Sequence, residues 1–275
     1  MTGIASVDDW QGVGNFTCAR GFGTHSKAIF NDVRATSPYR LIGEFETTTK
    51  RTVLVVGASR GLGLALAEEY CGRGWQVIAT SRGQSSGLQQ LQERYPETLE
   101  IETVDVIDLR SVKTLHSGLE ERKLDVLFVN AGICKANELT PVEVEEKYFL
   151  DMMLTNALSP MRIIEVFHAS VVESGVIAVM SSEIGSIGNC LGFWELYSSS
   201  KAALNMLMAA FAARNKEDKR ALLLVAPGWV RTEMGGPGAG LEISDSIPLV
   251  ADVVERNAGK PGLRFTDRHG QILPW

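Results

Sequence analysis

A doubly wound parallel α/β sheet is the architecture this sequence predicts. Three observations carry that expectation. Short β-branched apolar runs recur from residue 51 onward, each ending at Gly, Asp, Asn, Ser or Pro. Helical stretches of 10 to 20 residues separate most of them, the spacing of right-handed βαβ crossovers. A glycine-rich loop, Gly57-Ala58-Ser59-Arg60-Gly61-Leu62-Gly63, follows the first run. In such a sheet ligands sit beyond the carboxyl ends of the strands, so the residues just after each run are the informative ones.

The elements follow in order. Thr52–Val56 reads as a strand buried on both faces. A helix over Leu62–Cys71 and a strand over Gln76–Thr80 come next, then a strand near Leu99–Val104 and a helix near Leu109–Leu119. Asp125–Val129 is a strand, Pro141–Leu150 and Asp151–Val172 are helical, and Gly175–Met180 is a strand. The pattern closes with a helix over Leu196–Asn215, a strand over Ala221–Ala226 and a loop-rich tail. Residues 1–50 differ: six glycines, five acids and five bases show neither a 3.6 nor a 2.0 period. We expect a poorly ordered extension there and one domain over 51–275. Asp8 and Asp9 stand where a signal or transit peptide would carry basic or apolar residues.

Composition narrows the function classes. The 275 residues are 45% apolar and 22% charged, a globular balance without a membrane-length apolar run. With 27 Lys and Arg against 33 Asp and Glu, the net charge of -6 leaves no basic field for nucleic acid. Cys18, Cys71, Cys134 and Cys190 lie far apart, so neither a disulfide framework nor a zinc site is written, and the four histidines are as scattered. We expect no metal, no membrane partner, and a reducing, cytoplasmic setting.

The strand ends carry the chemistry. Glycines in the 57–63 loop permit a tight turn and bring helix N–H groups close to a pyrophosphate. After the second strand stand Ser81 and Arg82, where an NAD site wants an acid for the ribose 2′-hydroxyl. Arg82 and Arg60 offer cations for a 2′-phosphate instead, so NADP(H) is preferred over NAD(H). Asp105-Val106 ends the third strand and Asn130-Ala131-Gly132 the fourth. Tyr197 and Lys201 share one helix face at i and i+4. A Tyr pKa near 10 must fall for ready proton transfer at pH 7, and a nearby Lys cation and an oxidised nicotinamide can together lower it. Ser182 at a strand end can hold a carbonyl beside that phenol. Pro160 denies the Asn156 carbonyl its helix bond, which predicts a kink and a site for a water.

Together these segments resemble the short-chain dehydrogenase/reductase family. Gly57-x-x-x-Gly61-x-Gly63, Asn130-Ala131-Gly132, Asn156, Ser182, Tyr197-x-x-x-Lys201 and Pro227-Gly228 stand in that family's order over residues 51–275. The run Pro227–Gly236 and Leu273-Pro274-Trp275 are similar to the C-factor-like and sniffer-like carbonyl reductases. The resemblance implies a Rossmann-type single domain of about seven strands with helices on both faces. It implies that Tyr197 is the general acid/base, with Lys201 lowering its pKa and holding the nicotinamide ribose. Ser182 would orient the carbonyl and Asn156 support a water relay. The cofactor would meet Gly57, Ser59, Arg60, Gly61, Leu62 and Gly63, with Ser81 and Arg82 beside the adenosine ribose. Asp105 and Val106 would lie at the adenine, and Asn130, Ala131 and Gly132 along the central strand. Pro227, Gly228, Val230 and Thr232 would face the nicotinamide. Val56 replaces the Thr that usually precedes the first glycine, which removes one loop hydrogen bond.

Phe193, Trp194, Cys134 and Met234 fall near the expected cleft mouth, and Cys190–Trp194 forms a lip there. This favours a small apolar ketone, aldehyde or secondary alcohol as substrate. The helix after Tyr197 is apolar nearly all round, which with the helix around Met152–Val172 predicts a homodimer or homotetramer. A protein that senses NADP(H) without turnover is the competing reading. The intact Asn156, Ser182, Tyr197 and Lys201 set argues against it.

Overall fold

The computed structural model describes residues 50–275, so the extension expected over residues 1–50 lies, but for Lys50, outside the described part. Seven strands form one sheet: β1 (Thr52–Val56), β2 (Gln76–Ser81), β3 (Leu99–Thr103), β4 (Leu124–Val129), β5 (Val171–Met180), β6 (Ala221–Ala226) and β7 (Gly262–Asp267). Their spatial order is β3-β2-β1-β4-β5-β6-β7 and every neighbouring pair is parallel. The order reverses direction between β1 and β4, and there the carboxyl ends open a crevice.

Strand periodicity sorts the core into two layers. Val53 and Val55 of β1 face one side with Leu66 and Tyr70 of α1 (Gly61–Gly72), Leu88 of α2 (Ser86–Arg94) and Val250 of α7 (Ile247–Asn257). Leu54 and Val56 face the other, with Val112 of α3 (Leu109–Gly118), Ile164 of α5 (Ser159–Phe167) and Leu204 of α6 (Glu195–Arg214). Side chains buried to this degree contribute about 1.5–3 kcal/mol each. Both faces are covered, so the strands read as continuous apolar runs.

Several elements depart from the sequence expectation, each for a local reason. The helix expected over Pro141–Leu150 shrinks to α4 (Glu146–Met152). The Thr140 N–H and hydroxyl both donate to the Glu143 carboxylate, at 2.9 and 2.7 Å, and close a turn upstream. The long helix expected over Asp151–Val172 divides. A π-helical turn spans Met153–Leu158, α5 follows, and β5 already begins at Val171. Pro160 explains the division, because it cannot donate to the Asn156 carbonyl. The Ser159 N–H reaches back to the Leu154 carbonyl, and the ladder lengthens by one residue. The tail contains α7 and β7 as well as loops, and α2 had no sequence signal because only Leu88 and Leu91 of its nine residues are buried.

The β1–α1 turn is tightly packed. A Cβ on Gly63 would lie 2.1 Å from the Gly57 carbonyl oxygen and 2.5 Å from Asn130 Nδ2. Gly63→Ala is expected to destabilise the protein by about 1–3 kcal/mol, as overpacking does. Gly118→Ala, where nothing lies within 4 Å of the new carbon, is expected to be neutral or slightly stabilising. Thermal melts of the two variants beside wild type check the pair.

Candidate active site

The glycine loop is held open by its neighbours. Gly57 (φ +88) and Gly61 (φ +57) adopt left-handed backbone that other residues resist. The Gly57 N–H donates to Thr80 Oγ1 at 3.1 Å, and Asn130 Nδ2 donates to the Gly57 carbonyl at 2.8 Å. Thr80 of β2 thus supplies a hydroxyl bond to the loop that Val56 cannot. The N–H groups of Asn130 and Ala131 both donate to the Val56 carbonyl, which ties the 130–132 segment to the loop. Ser59 and Arg60 are exposed, Leu62 is half-buried, and Gly63 is buried under Gly57. Ser81 is buried and donates to the Gly83 carbonyl at 2.5 Å, turning the chain so that Arg82 points to solvent. Arg82 pairs with no acid among the described residues, whereas Arg60 meets Glu233 at 2.7 Å, both of them exposed. Val106 is buried, and Asp105 accepts the Ile107 N–H at 3.2 Å.

The segment after β6 approaches the same loop. A Cβ on Gly61 would lie 3.8 Å from the Thr232 methyl. Thr232 Oγ1 accepts the Gly235 N–H at 3.0 Å, and Val230 is buried at a bridge with Leu241. Pro227 is buried with its carbonyl accepting from Ser246, and Gly228 (φ +82) turns the chain toward Trp229.

Helix α6 brings the polar groups together. Tyr197, Ser200, Lys201 and Asn205 share its buried face. Lys201 Nζ donates to the Met180 carbonyl at 2.8 Å, at the very end of β5, and lies 5.7 Å from the Tyr197 ring centre. Burial lowers the Lys201 ammonium from its usual 10.5 to about 8, with the Cys134 thiol acting the other way. Burial likewise pushes the Tyr197 phenol up; Cys134 adds to the push and the Ser182 hydroxyl opposes it. Burial therefore works against the fall that the lysine and an oxidised nicotinamide are expected to supply together.

Asn156 is fully buried. Its Oδ1 accepts the Ile133 N–H at 2.8 Å, and its Nδ2 donates to the Ile133 carbonyl at 2.8 Å and to Ser200 Oγ at 3.0 Å. The π-helical turn thereby faces the segment just after β4. A Cβ on Gly132 would lie 3.4 Å from Asn156 Oδ1 and 3.6 Å from Lys201 Nζ, so the missing side chain leaves the approach to both groups open. Cleft residues can hold a dinucleotide here: open glycine backbone, a free cation at Arg82, and a donor-rich floor beyond four consecutive strand ends. By contrast, a cavity of about 310 Å³ lined by Arg51, Trp75, Asp125 and Glu255 lies at the opposite, amino ends of the strands.

The profile of the short chain dehydrogenase family matches residues 51–238. The chain belongs to the short-chain dehydrogenase/reductase family. A family member from Burkholderia multivorans, solved with bound NADP, is 46% identical with a TM-score of 0.80; the match covers 82% of this chain and 100% of that one. A carbonyl reductase from Pseudomonas aeruginosa PAO1 in complex with NADP is 40% identical with a TM-score of 0.77, at the same coverages. The carbonyl reductase Sniffer of D. melanogaster is 25% identical with a TM-score of 0.73, again covering 82% and 100%. The chain is thus an oxidoreductase of this family with NADP-bound structural neighbours, and no described helix is long and apolar enough to cross a membrane.

Sequence reasoning missed the groups that brace the site. Asn205 Oδ1 accepts from Ser181 Oγ at 2.7 Å and its Nδ2 donates to the Gly185 carbonyl at 3.2 Å, fixing the turn that starts at Ser182. Ser200 bonds Asn156, and the Met180 carbonyl holds Lys201. Asn205 stands four residues after Lys201 in an otherwise apolar helix, a signal that was available.

The Lys201 shift carries a stability consequence. Between pH 8 and 10.5 the unfolded chain binds the lysine proton and the folded one does not, so stability from this group rises with pH across that window. Relative to Lys201→Met, wild type is expected to gain on the order of 1 kcal/mol per pH unit there. Urea melts of both proteins at pH 7.5, 9 and 10 measure the difference.

Proposed function

We propose that this chain is an NADP-dependent reductase or dehydrogenase acting on a carbonyl or secondary alcohol of a small apolar molecule. The observation that carries the reading is the meeting of Tyr197, Ser182 and Lys201 beside an open glycine loop. Gly57, Ser59, Gly61, Leu62 and Gly63 would cradle the pyrophosphate, with Ser81, Arg82 and Arg60 at the 2′-phosphate and Asp105 and Val106 at the adenine. Asn130, Ala131 and Gly132 would floor the cleft, and Pro227, Gly228, Val230 and Thr232 would border the nicotinamide. When bound, NADPH would supply the hydride, its nicotinamide ring becoming the oxidised, cationic form.

In reduction the Ser182 hydroxyl donates to the substrate carbonyl oxygen and fixes its direction. Tyr197 transfers its phenolic proton to that oxygen as negative charge develops there. Burial favours the protonated phenol, the form this direction requires. Lys201 holds the nicotinamide ribose and, when charged, stabilises the phenolate left behind. The Asn156 segment would then pass a proton from solvent back to Tyr197 through a water at its main-chain carbonyl. Oxidation of an alcohol reverses each transfer. The NADP bound to the Burkholderia and Pseudomonas relatives, and an Arg82 that pairs with no acid among the described residues, support the phosphorylated cofactor over NAD.

NADPH oxidation followed at 340 nm over ketones, aldehydes and quinones, beside NADH and Tyr197→Phe, tests the reading. We expect turnover with NADPH, slower turnover with NADH, and a loss of at least about a hundredfold in the variant, the scale of a general acid. Tight NADPH binding with no turnover of any compound would instead support a sensor. A phosphosugar reduced faster than every apolar carbonyl would overturn the substrate class.

We also propose a homodimer or homotetramer, in a reducing, cytosolic setting. Helix α6 buries one stripe, yet Met206 is 69% exposed, and Leu207 and nearby Leu158 are also uncovered. A multiple of the chain mass in light scattering at micromolar protein is expected, and a monomer mass would refute it.

A further inference from the structure

Trp194 is out of place on backbone grounds. It caps the amino end of α6 with φ 52 and ψ 45, left-handed backbone that a bulky side chain adopts only where its surroundings impose it. Its carbonyl accepts the Ser198 N–H at 2.8 Å, and Ser198 Oγ donates to the neighbouring Phe193 carbonyl at 3.2 Å, which pins the turn. The strained turn sets the indole against three other rings, all nearly edge-on. Its centre lies 5.9 Å from Tyr197 at 85°, 6.4 Å from Trp229 at 83°, and 6.3 Å from Phe193 at 86°. Trp229 is itself fixed, its indole N–H donating to the Gly235 carbonyl at 2.8 Å. Phe193 and Trp229 keep roughly half of their surface open, at 47% and 55% exposure. The rings therefore join the two lips of the cleft beside the phenol and present unfilled aromatic surface to whatever sits there.

From this we infer that Trp194 is a specificity-determining residue that selects carbonyl compounds with a flat aryl group on the carbonyl carbon over saturated ones of the same size. The inference rests on the proposed carbonyl chemistry at Tyr197. A carbonyl oxygen placed at the phenol leaves its substituent beside the Trp194 and Trp229 rings. An aryl ring can continue their edge-to-face packing, at centre spacings of about 4.5–7 Å. A cyclohexyl ring of equal carbon number offers area alone. Each aromatic contact of this kind corresponds to about three- to tenfold in kcat/KM.

The test uses matched probes: acetophenone against cyclohexyl methyl ketone, and benzaldehyde against cyclohexanecarbaldehyde, each with NADPH. The aryl-to-cyclohexyl ratio of kcat/KM is compared between wild type, Trp194→Ala and Trp194→Phe, which removes the intrinsic reactivity difference within each pair. We expect the ratio to fall about tenfold in Trp194→Ala, mostly through KM for the aryl compound. Trp194→Phe should retain most of it. Thermal midpoints and NADPH binding by fluorescence, unchanged in both variants, show that the fold and cofactor cleft persist. Ratios equal in wild type and Trp194→Ala would overturn the inference and leave the reductase reading standing. A wild type that binds NADPH but reduces none of the four compounds would overturn both.

Discussion

The hydrogen bond from Lys201 to the Met180 carbonyl is the contact on which the site depends. It fastens the buried face of α6 to the carboxyl end of β5, so that Tyr197 on the same face faces the turn that starts at Ser182. The bond also satisfies an ammonium that burial would otherwise leave without a partner, an omission that costs several kcal/mol. Around it the other polar groups interlock. Asn205 fixes the Ser182 turn, while Ser200 ties Asn156 to the helix, and Asn156 binds both main-chain groups of Ile133. The ends of β4 and β5 and one π-helical turn are thereby registered against a single helix face.

The glycine loop obeys a separate constraint, steric instead of electrostatic. Gly63 can lie under the Gly57 carbonyl only because it carries no side chain, and Gly57 can pass Ala131 for the same reason. Asn130 bonds the Gly57 carbonyl from β4 and Thr80 bonds its N–H from β2. A loop braced by strands on either side is held in place by the protein's own bonds. That is the preorganisation an anion site at a helix amino end needs. The Arg60–Glu233 pair, by contrast, is exposed on both sides and belongs to the class of contacts that contribute about 0–1 kcal/mol.

Much of this was legible in the sequence, and the boundary has a physical origin. Five of the six strands read from the sequence are buried on both faces and leave a continuous apolar signature; β3, at the other edge, reads from the alternation of Leu99 and Ile101 with Glu100 and Glu102. β7 escaped because its run, Gly262–Asp267, mixes Arg and Thr at a sheet edge where burial is partial. Pro160 announced an irregularity, and the structure gives it a form, a π turn, that places the Asn156 side chain on Ile133. Tyr197 and Lys201 could be placed on one face from i, i+4 spacing alone. Their ionisation could not, since burial depends on what the rest of the chain packs over them. It moves both groups toward their neutral forms. The left-handed turn at Trp194 has no sequence signal at all, because nothing in a tryptophan advertises positive φ.

Both departures from comfortable chemistry, a buried ammonium and a strained tryptophan, sit on α6 within two turns of each other. The same helix buries Leu204, Met208 and Phe211 against the sheet, each contributing about 2 kcal/mol. That apolar anchor exceeds the roughly 3 kcal/mol held in the lysine shift and the 1–3 kcal/mol typical of a left-handed bulky residue. The helix can therefore carry two unfavourable groups at its amino half because its carboxyl half is ordinary core. Relief of either would be expected to stabilise the helix locally. On the proposed function, both unfavourable groups lie where the chemistry would use them, at the cleft end of the helix.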